Sequence, residues 1–292
     1  MKAKDRGVFE LVYEAVTRGY KVEVGGSTLT EAIKVASLNK VLLQFLRALE
    51  IGGPIRFREE ARFKRFVDTL TKIVESLKGL EYSFIKLSKP VLYVPSDVDI
   101  LVRRSSLKDV ISRLRREGFR VEVVEAYCVT MRSRRAIVDV YLYPTLGGVI
   151  YIDSEKLLEH VRPITFEGLE LPSLAPYAEA LLSASHAIYK ERIYTLNDYV
   201  TVDKWLSPKS LKLAESARCE GALSLAWLIN ELVKGGRLTL PYRLPLHLWA
   251  LLLSRKYLSD SLTRGSVKGL LRALGDRRIG KQVISKLTRS SY

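Results

Sequence analysis

Ser96-Asp97-Val98-Asp99-Ile100-Leu101-Val102 decides how this chain is read, because two carboxylates sit inside an otherwise apolar run. A strand turns successive side chains to opposite faces, so Asp97 and Asp99 project from one side and Val98 and Ile100 from the other. Like charges held close together are costly unless a cation lies between them. Further on, Ala136-Ile137-Val138-Asp139-Val140-Tyr141-Leu142 repeats the pattern with a third carboxylate. Asp97, Asp99 and Asp139 on two neighbouring strands predict a divalent-metal centre of the kind that serves two-metal phosphoryl transfer. Hard oxygen ligands without Cys or His suit Mg²⁺ or Mn²⁺ better than zinc.

Outward from these strands the pattern is α+β in the middle and helical on both sides. Upstream, Tyr82 to Leu87 reads as a strand, preceded by a helix over 59–77 with Phe63, Phe66, Leu70 and Ile73 on one side. Downstream, Ser105 to Glu117 is an amphipathic helix stopped by Gly118, and Phe119 to Val124 and Arg135 to Tyr143 alternate as strands. Pro144 and Gly147-Gly148 mark a turn before a short strand at 149–152. The amino-terminal stretch predicts helices at 7–18 and 29–50, joined at Gly25-Gly26-Ser27-Thr28 by a turn and N-cap. Gly52-Gly53-Pro54 breaks the chain, and from Leu174 onward the spacing is helical. The expected division is an N-terminal helical unit (1–55), an α/β core (56–172) and a C-terminal helical domain (173–292).

The chain has 292 residues, 48 Lys plus Arg against 32 Asp plus Glu, and a formal net charge of +16. A fold does not require that excess, so its placement matters. Residues 254–292 hold ten basic residues against Asp260 and Asp276, and 103–135 hold ten against four acids. Both stretches point to a polyanionic partner such as RNA, although a solvated basic surface has the same composition. With no long apolar run and no secretory signal core, the chain reads as cytoplasmic and without a membrane span. Its two cysteines, Cys128 and Cys219, lack metal-type spacing and read as small buried residues. Few Asn, Gln and Met among many Lys and Arg suggest a heat-adapted source.

Strand, Asp-x-Asp strand, helix, strand and third aspartate resemble the nucleotidyltransferase fold of the DNA polymerase β superfamily over roughly residues 60–155. Phe84 to Pro90, Tyr93 to Asp99, Ser185 to Glu191 and Leu196-Asn197-Asp198 are similar to a group of mostly archaeal nucleotidyltransferase-like proteins. The resemblance implies a mixed sheet with flanking helices, in which Asp97 and Asp99 bind two Mg²⁺ ions. Asp139 would hold the catalytic ion and help activate an acceptor hydroxyl. It further implies an NTP substrate, ATP first, with nucleoside monophosphate moved to a hydroxyl such as an RNA or tRNA end and pyrophosphate released.

Superfamily members usually carry Gly-Ser or Gly-Gly before the first aspartate, where backbone amides grip phosphates. Here Leu87-Ser88 is the nearest equivalent and the glycine is missing. Ser88, Lys86, Lys89 and Ser96 remain candidate nucleotide contacts. His186, Lys190 and Tyr194 recur every four residues in an expected helix over 181–194, which adds His186 and Lys190 to that set. The plainer reading makes His186 a core histidine and Lys190 a surface ion-pair partner. Arg103 and Arg104 follow the aspartate strand closely enough to reach a phosphate, and Tyr141 and Tyr143 are placed to stack on a base. Trp205, Trp227 and Trp249 read as helix-packing anchors. Two rivals stand beside transfer to RNA. One is nucleotidyl transfer to a protein hydroxyl, as in toxin and antitoxin pairs; the other is a non-catalytic RNA- or protein-binding module that keeps the fold.

Overall fold

A computed structural model describes residues 3–19, 25–275 and 285. Its centre is a seven-stranded mixed sheet in the order β3-β4-β5-β2-β1-β9-β8. The strands are β1 (Tyr82–Ile85), β2 (Val98–Val102), β3 (Arg120–Val124), β4 (Cys128–Arg132), β5 (Ile137–Tyr141), β8 (Val161–Phe166) and β9 (Leu169–Leu174). The short pair β6 (Thr145–Leu146) and β7 (Val149–Ile150) turns on Gly147 and Gly148, both at positive φ. Strand β2 runs antiparallel to β1 and parallel to β5.

Side-chain alternation sorts the sheet into two faces. Val98, Ile100 and Val102 of β2 and Val138 and Val140 of β5 pack with the helices α4 (Pro54–Ser76) and α5 (Leu107–Arg116) in one core. Leu101 of β2 and Tyr141 of β5 face a second core. That core is shared by α1 (Ala3–Arg18), α2 (Gly26–Leu38), α3 (Leu42–Ala48) and the helices after the sheet. Those are α7 (Pro176–Ser185), α8 (Leu196–Trp205), α9 (Pro208–Ser216), α10 (Glu220–Lys234) and α11 (Leu246–Ser259). The aspartates lie on this second face, so the carboxylates open between the sheet and the C-terminal helices. Among the described residues, no helix is long and apolar enough to cross a membrane.

Several expectations need correction. The helix expected over 29–50 is two helices, broken at Asn39 and Lys40, with Lys40 at φ 58°. Asn39 is buried and holds the break open: its Nδ2 donates to Val35 and Leu240 carbonyls, and its Oδ1 accepts from the Leu196 amide. Helix α2 starts at Gly26 without a side-chain cap, so neither Ser27 nor Thr28 closes it. Strands β4, β8 and β9 were not expected, nor was the small ribbon β10 (Ile193–Tyr194) with β11 (Tyr242–Arg243). The helix expected over 181–194 ends at Ser185 and continues as a π-helical turn, His186–Glu191. Trp227 is 53% exposed and anchors little, whereas Trp249 donates Nε1–H to the Tyr189 carbonyl at 2.9 Å. Both cysteines are free and buried. Helix α12 (Ser261–Gly275) docks on β7 through Thr263 and Ser266. Part of the basic carboxy-terminal stretch, residues 276–284 and 286–292, lies outside the described residues, as do the side chains of 269–275.

Candidate metal centre and its cavity

Pairing of β2 with β5 puts Asp99 and Asp139 directly opposite each other, and Asp97 precedes β2 by one residue. Parallel neighbours in register bring same-face side chains side by side. One carboxylate oxygen from each of Asp97, Asp99 and Asp139 therefore lies within 4.8 Å of the others. Thr130 on β4, opposite Asp139 in the ladder, donates its hydroxyl to Asp139 Oδ1 at 2.6 Å, and the Tyr141 hydroxyl donates to Oδ2 at 3.1 Å. Ser96 Oγ donates to Asp97 Oδ1 at 2.9 Å. Such bonds fix carboxylate orientation around a metal.

Asp99 bears most of the electrostatic load. It is 8% exposed. Burial pushes its carboxyl up to about 7; Lys86 pulls it down, and Asp97 and Asp139 add to the rise. Lys86 Nζ lies 2.8 Å from Asp99 Oδ2, while Asp99 Oδ1 is buried without a hydrogen-bond partner among the described residues. Burial opposes the charge on Lys86, yet Asp99 and Asp97 outweigh it and hold the ammonium above the usual lysine value. A buried aspartate with one orphaned carboxylate oxygen, clustered with two further carboxylates, suits a divalent cation, which would supply the missing partner.

The centre forms one wall of a cavity of about 330 Å³. Five carboxylates and four lysines line it: Asp97, Asp99, Asp139, Glu191 and Asp198 against Lys40, Lys86, Lys89 and Lys190. Lys89 is already committed. Its ammonium lies 2.9 Å from Oε1 of Glu179, which is fully buried, and 3.0 Å from Ser183 Oγ. The remaining charge is negative, which again leaves room for a cation.

Glu179 also shapes the turn after β1. Its Oε2 accepts the Lys86 amide at 3.1 Å while Lys86 sits at φ 58°, a left-handed conformation uncommon for a residue with a Cβ. Lys86 and Lys190 both lie against the Tyr141 ring, 5.3 and 5.4 Å from its centroid. Burial raises the Tyr141 hydroxyl above its usual value, so it stays a hydrogen-bond donor to Asp139.

Lys86, Lys89, Ser96, His186 and Lys190 thus line the cavity, and Ser88 is not among its lining residues. His186 Nδ1 pairs with the Tyr151 hydroxyl at 3.0 Å, and Nε2 lies 3.5 Å from Glu191 Oε1. Tyr194 leaves the face it was expected to share and donates to Asn230 in the helical core. Arg103 pairs with Glu155 at the far end of β2, and neither it nor Arg104 lines the cavity. Tyr143 stacks edge-on with Tyr127 instead of facing the site. Glu179, Thr130 and Lys40 were missed. Glu179 had a readable signal: one acid within the apolar run Ala178-Glu179-Ala180-Leu181-Leu182. No protein-family model and no curated protein matches the chain.

Proposed function

We propose that this protein is a Mg²⁺-dependent nucleotidyltransferase of the DNA polymerase β type, moving a nucleoside monophosphate from an NTP to a hydroxyl acceptor. The observation that carries this reading is the register of Asp99 with Asp139, which gathers three carboxylates, and Oδ1 of Asp99 is buried without a hydrogen-bond partner among the described residues. Asp97 and Asp99 would hold two ions and Asp139 would share one of them. Bound there, Mg²⁺ would offset charge on the attacking and leaving oxygens at the α-phosphorus. Lys86 and Lys190, which lie against the Tyr141 ring, would meet the triphosphate. The acceptor oxygen bonds to the α-phosphorus as its bond to the pyrophosphate oxygen breaks, and the hydroxyl proton leaves through Asp139 to solvent.

Two observations favour a second reading, a binding module without catalysis. Lys86 already pairs with Asp99 at 2.8 Å, and no Gly-Ser pair stands between β1 and Asp97. Incubation with each α-³²P-labelled NTP, total RNA and Mg²⁺, beside the Asp97→Ala/Asp99→Ala variant, separates the two. Label in RNA or protein with the wild type alone supports transfer and names the acceptor. Absence of label with every NTP leaves the binding module.

A further inference from the structure

Beyond the carboxylate cavity, two more depressions continue in the same direction. One, of about 210 Å³, shares Pro95, Ser96, Asp97 and Phe66 with the metal cavity and is lined by Arg62, Arg65 and Arg135. It shares Thr69 and Arg135 with another of about 940 Å³. Together they form one groove at the end of the sheet where β2 and β5 begin, between α4 and the turn joining β4 to β5.

Seven basic side chains line this groove against Asp97 at its mouth and Glu117 and Glu122 farther out. Arg62 is tied to Glu59 and Arg132 to Glu122. Arg65, Lys72, Arg120, Arg134 and Arg135 are exposed and have no carboxylate partner among the described residues. Arg62, Arg65, Thr69 and Lys72 recur at three- and four-residue steps, so they form one stripe on α4. At 1.5 Å per residue that stripe is about 15 Å long, near the span of four stacked nucleotides at about 3.4 Å each.

We propose that this groove is the track of a single-stranded nucleic acid whose 3′ end enters the carboxylate cavity past Ser96 and Asp97. The polarity rests on the transferase reading given above; the strand-binding surface does not. A cavity of about 330 Å³ has room for the terminal nucleotide of an unpaired end. Guanidinium groups on an exposed groove without acidic partners suit a chain of phosphates, with bidentate contacts available to each.

The test is fluorescence anisotropy with a 5′-labelled single-stranded 12-mer, as RNA and as DNA, in EDTA so that no chemistry occurs. The groove variant Arg65→Ala/Arg134→Ala/Arg135→Ala is compared with Lys108→Ala/Arg115→Ala/Arg116→Ala, which removes equal charge from a separate patch on α5. All six side chains are exposed, and melting curves confirm that both variants fold. The groove variant is expected to bind at least tenfold more weakly and to lose about two from the log–log salt slope, at about 0.7 per phosphate for single strands. The α5 variant should stay within twofold of wild type. Equal weakening by both variants, unchanged binding by the groove variant, or tighter binding of a duplex overturns the proposal. A 3′-terminal 4-thiouridine should cross-link to the lining of the carboxylate cavity, within 84–99, 139–141 or 183–198, and cross-links at 117–122 or 132–135, the outer end of the groove, overturn the polarity. Anisotropy in EDTA reads the groove and label transfer in Mg²⁺ reads the chemistry, so a failed transferase reading and a failed groove give different results.

Discussion

Asp99 couples the candidate metal centre to the stability of the fold. Its carboxyl is raised to about 7, first by burial and then by the neighbouring aspartates working against Lys86. The folded protein therefore keeps a proton that the unfolded chain has released. Its contribution to stability is complete below the ordinary carboxylate value and is lost as pH rises to about 7. A divalent ion needs the ionised carboxylate, so its binding displaces that proton below pH 7 and opposes the loss above it. Melting in 10 mM MgCl₂ should show a small upward shift in Tm at pH 5.5 and the largest at pH 8.5. Asp99→Asn should remove the shift at every pH; a shift independent of pH, or one retained by that variant, would sink the assignment. The three carboxylates were legible because an acid in an apolar strand has few bland explanations. The residues that orient them were not: Thr130 meets Asp139 only through the β4–β5 ladder, and Glu179 reaches Lys86 across 93 positions of sequence.

At the scale of elements, Asn39 shows how a single polar side chain overrides helical spacing. Apolar periodicity runs on from α2 into α3, yet Asn39 makes three hydrogen bonds, one within α2 and two to segments more than 150 positions away. Asn39→Ala would leave the Leu196 amide and the Leu240 carbonyl buried without this partner, at a cost of roughly 3 kcal/mol. Guanidinium unfolding would register that as a lower midpoint with unchanged slope; a midpoint equal to wild type would mean the break is set elsewhere. The strand pair β8 and β9 was hidden for a different reason. Pro163 stands opposite Pro172 in the ladder, and proline argues against a strand except at an edge, which is where β8 lies. Its two-residue turn, Glu167-Gly168 with both residues at positive φ, was the signal available. The π-helical turn is likewise invisible to a 3.6-residue period. It carries His186 and Lys190 to the cavity wall and lets Tyr194 fall inward, so two of three expected neighbours stayed together and the third did not.

For the whole molecule, the question is whether the first fifty residues form a separate unit. Composition and the Gly52-Gly53-Pro54 break suggest one, and Gly53 at φ 96° does redirect the chain into α4. Packing joins these helices to later parts of the chain. Val12, Ala15, Ala32, Phe45 and Leu46 belong to the same buried core as Leu181, Tyr199, Val200 and Ala226 of the C-terminal helices. Tyr13 and Tyr199 meet edge-on with their hydroxyls 2.9 Å apart. That core also takes in Ile85 and Leu101 from the sheet face that carries the aspartates, so removing the amino-terminal helices would expose apolar surface continuous with the floor of the site. A chain beginning at Gly53 should lose cooperative melting and bind a hydrophobic dye at temperatures where the full chain does not, because large apolar areas would be returned to water. Circular dichroism melts of the two forms decide it: a truncated chain that unfolds cooperatively at the full-length midpoint would make the amino-terminal helices a detachable cap, and the metal centre independent of them.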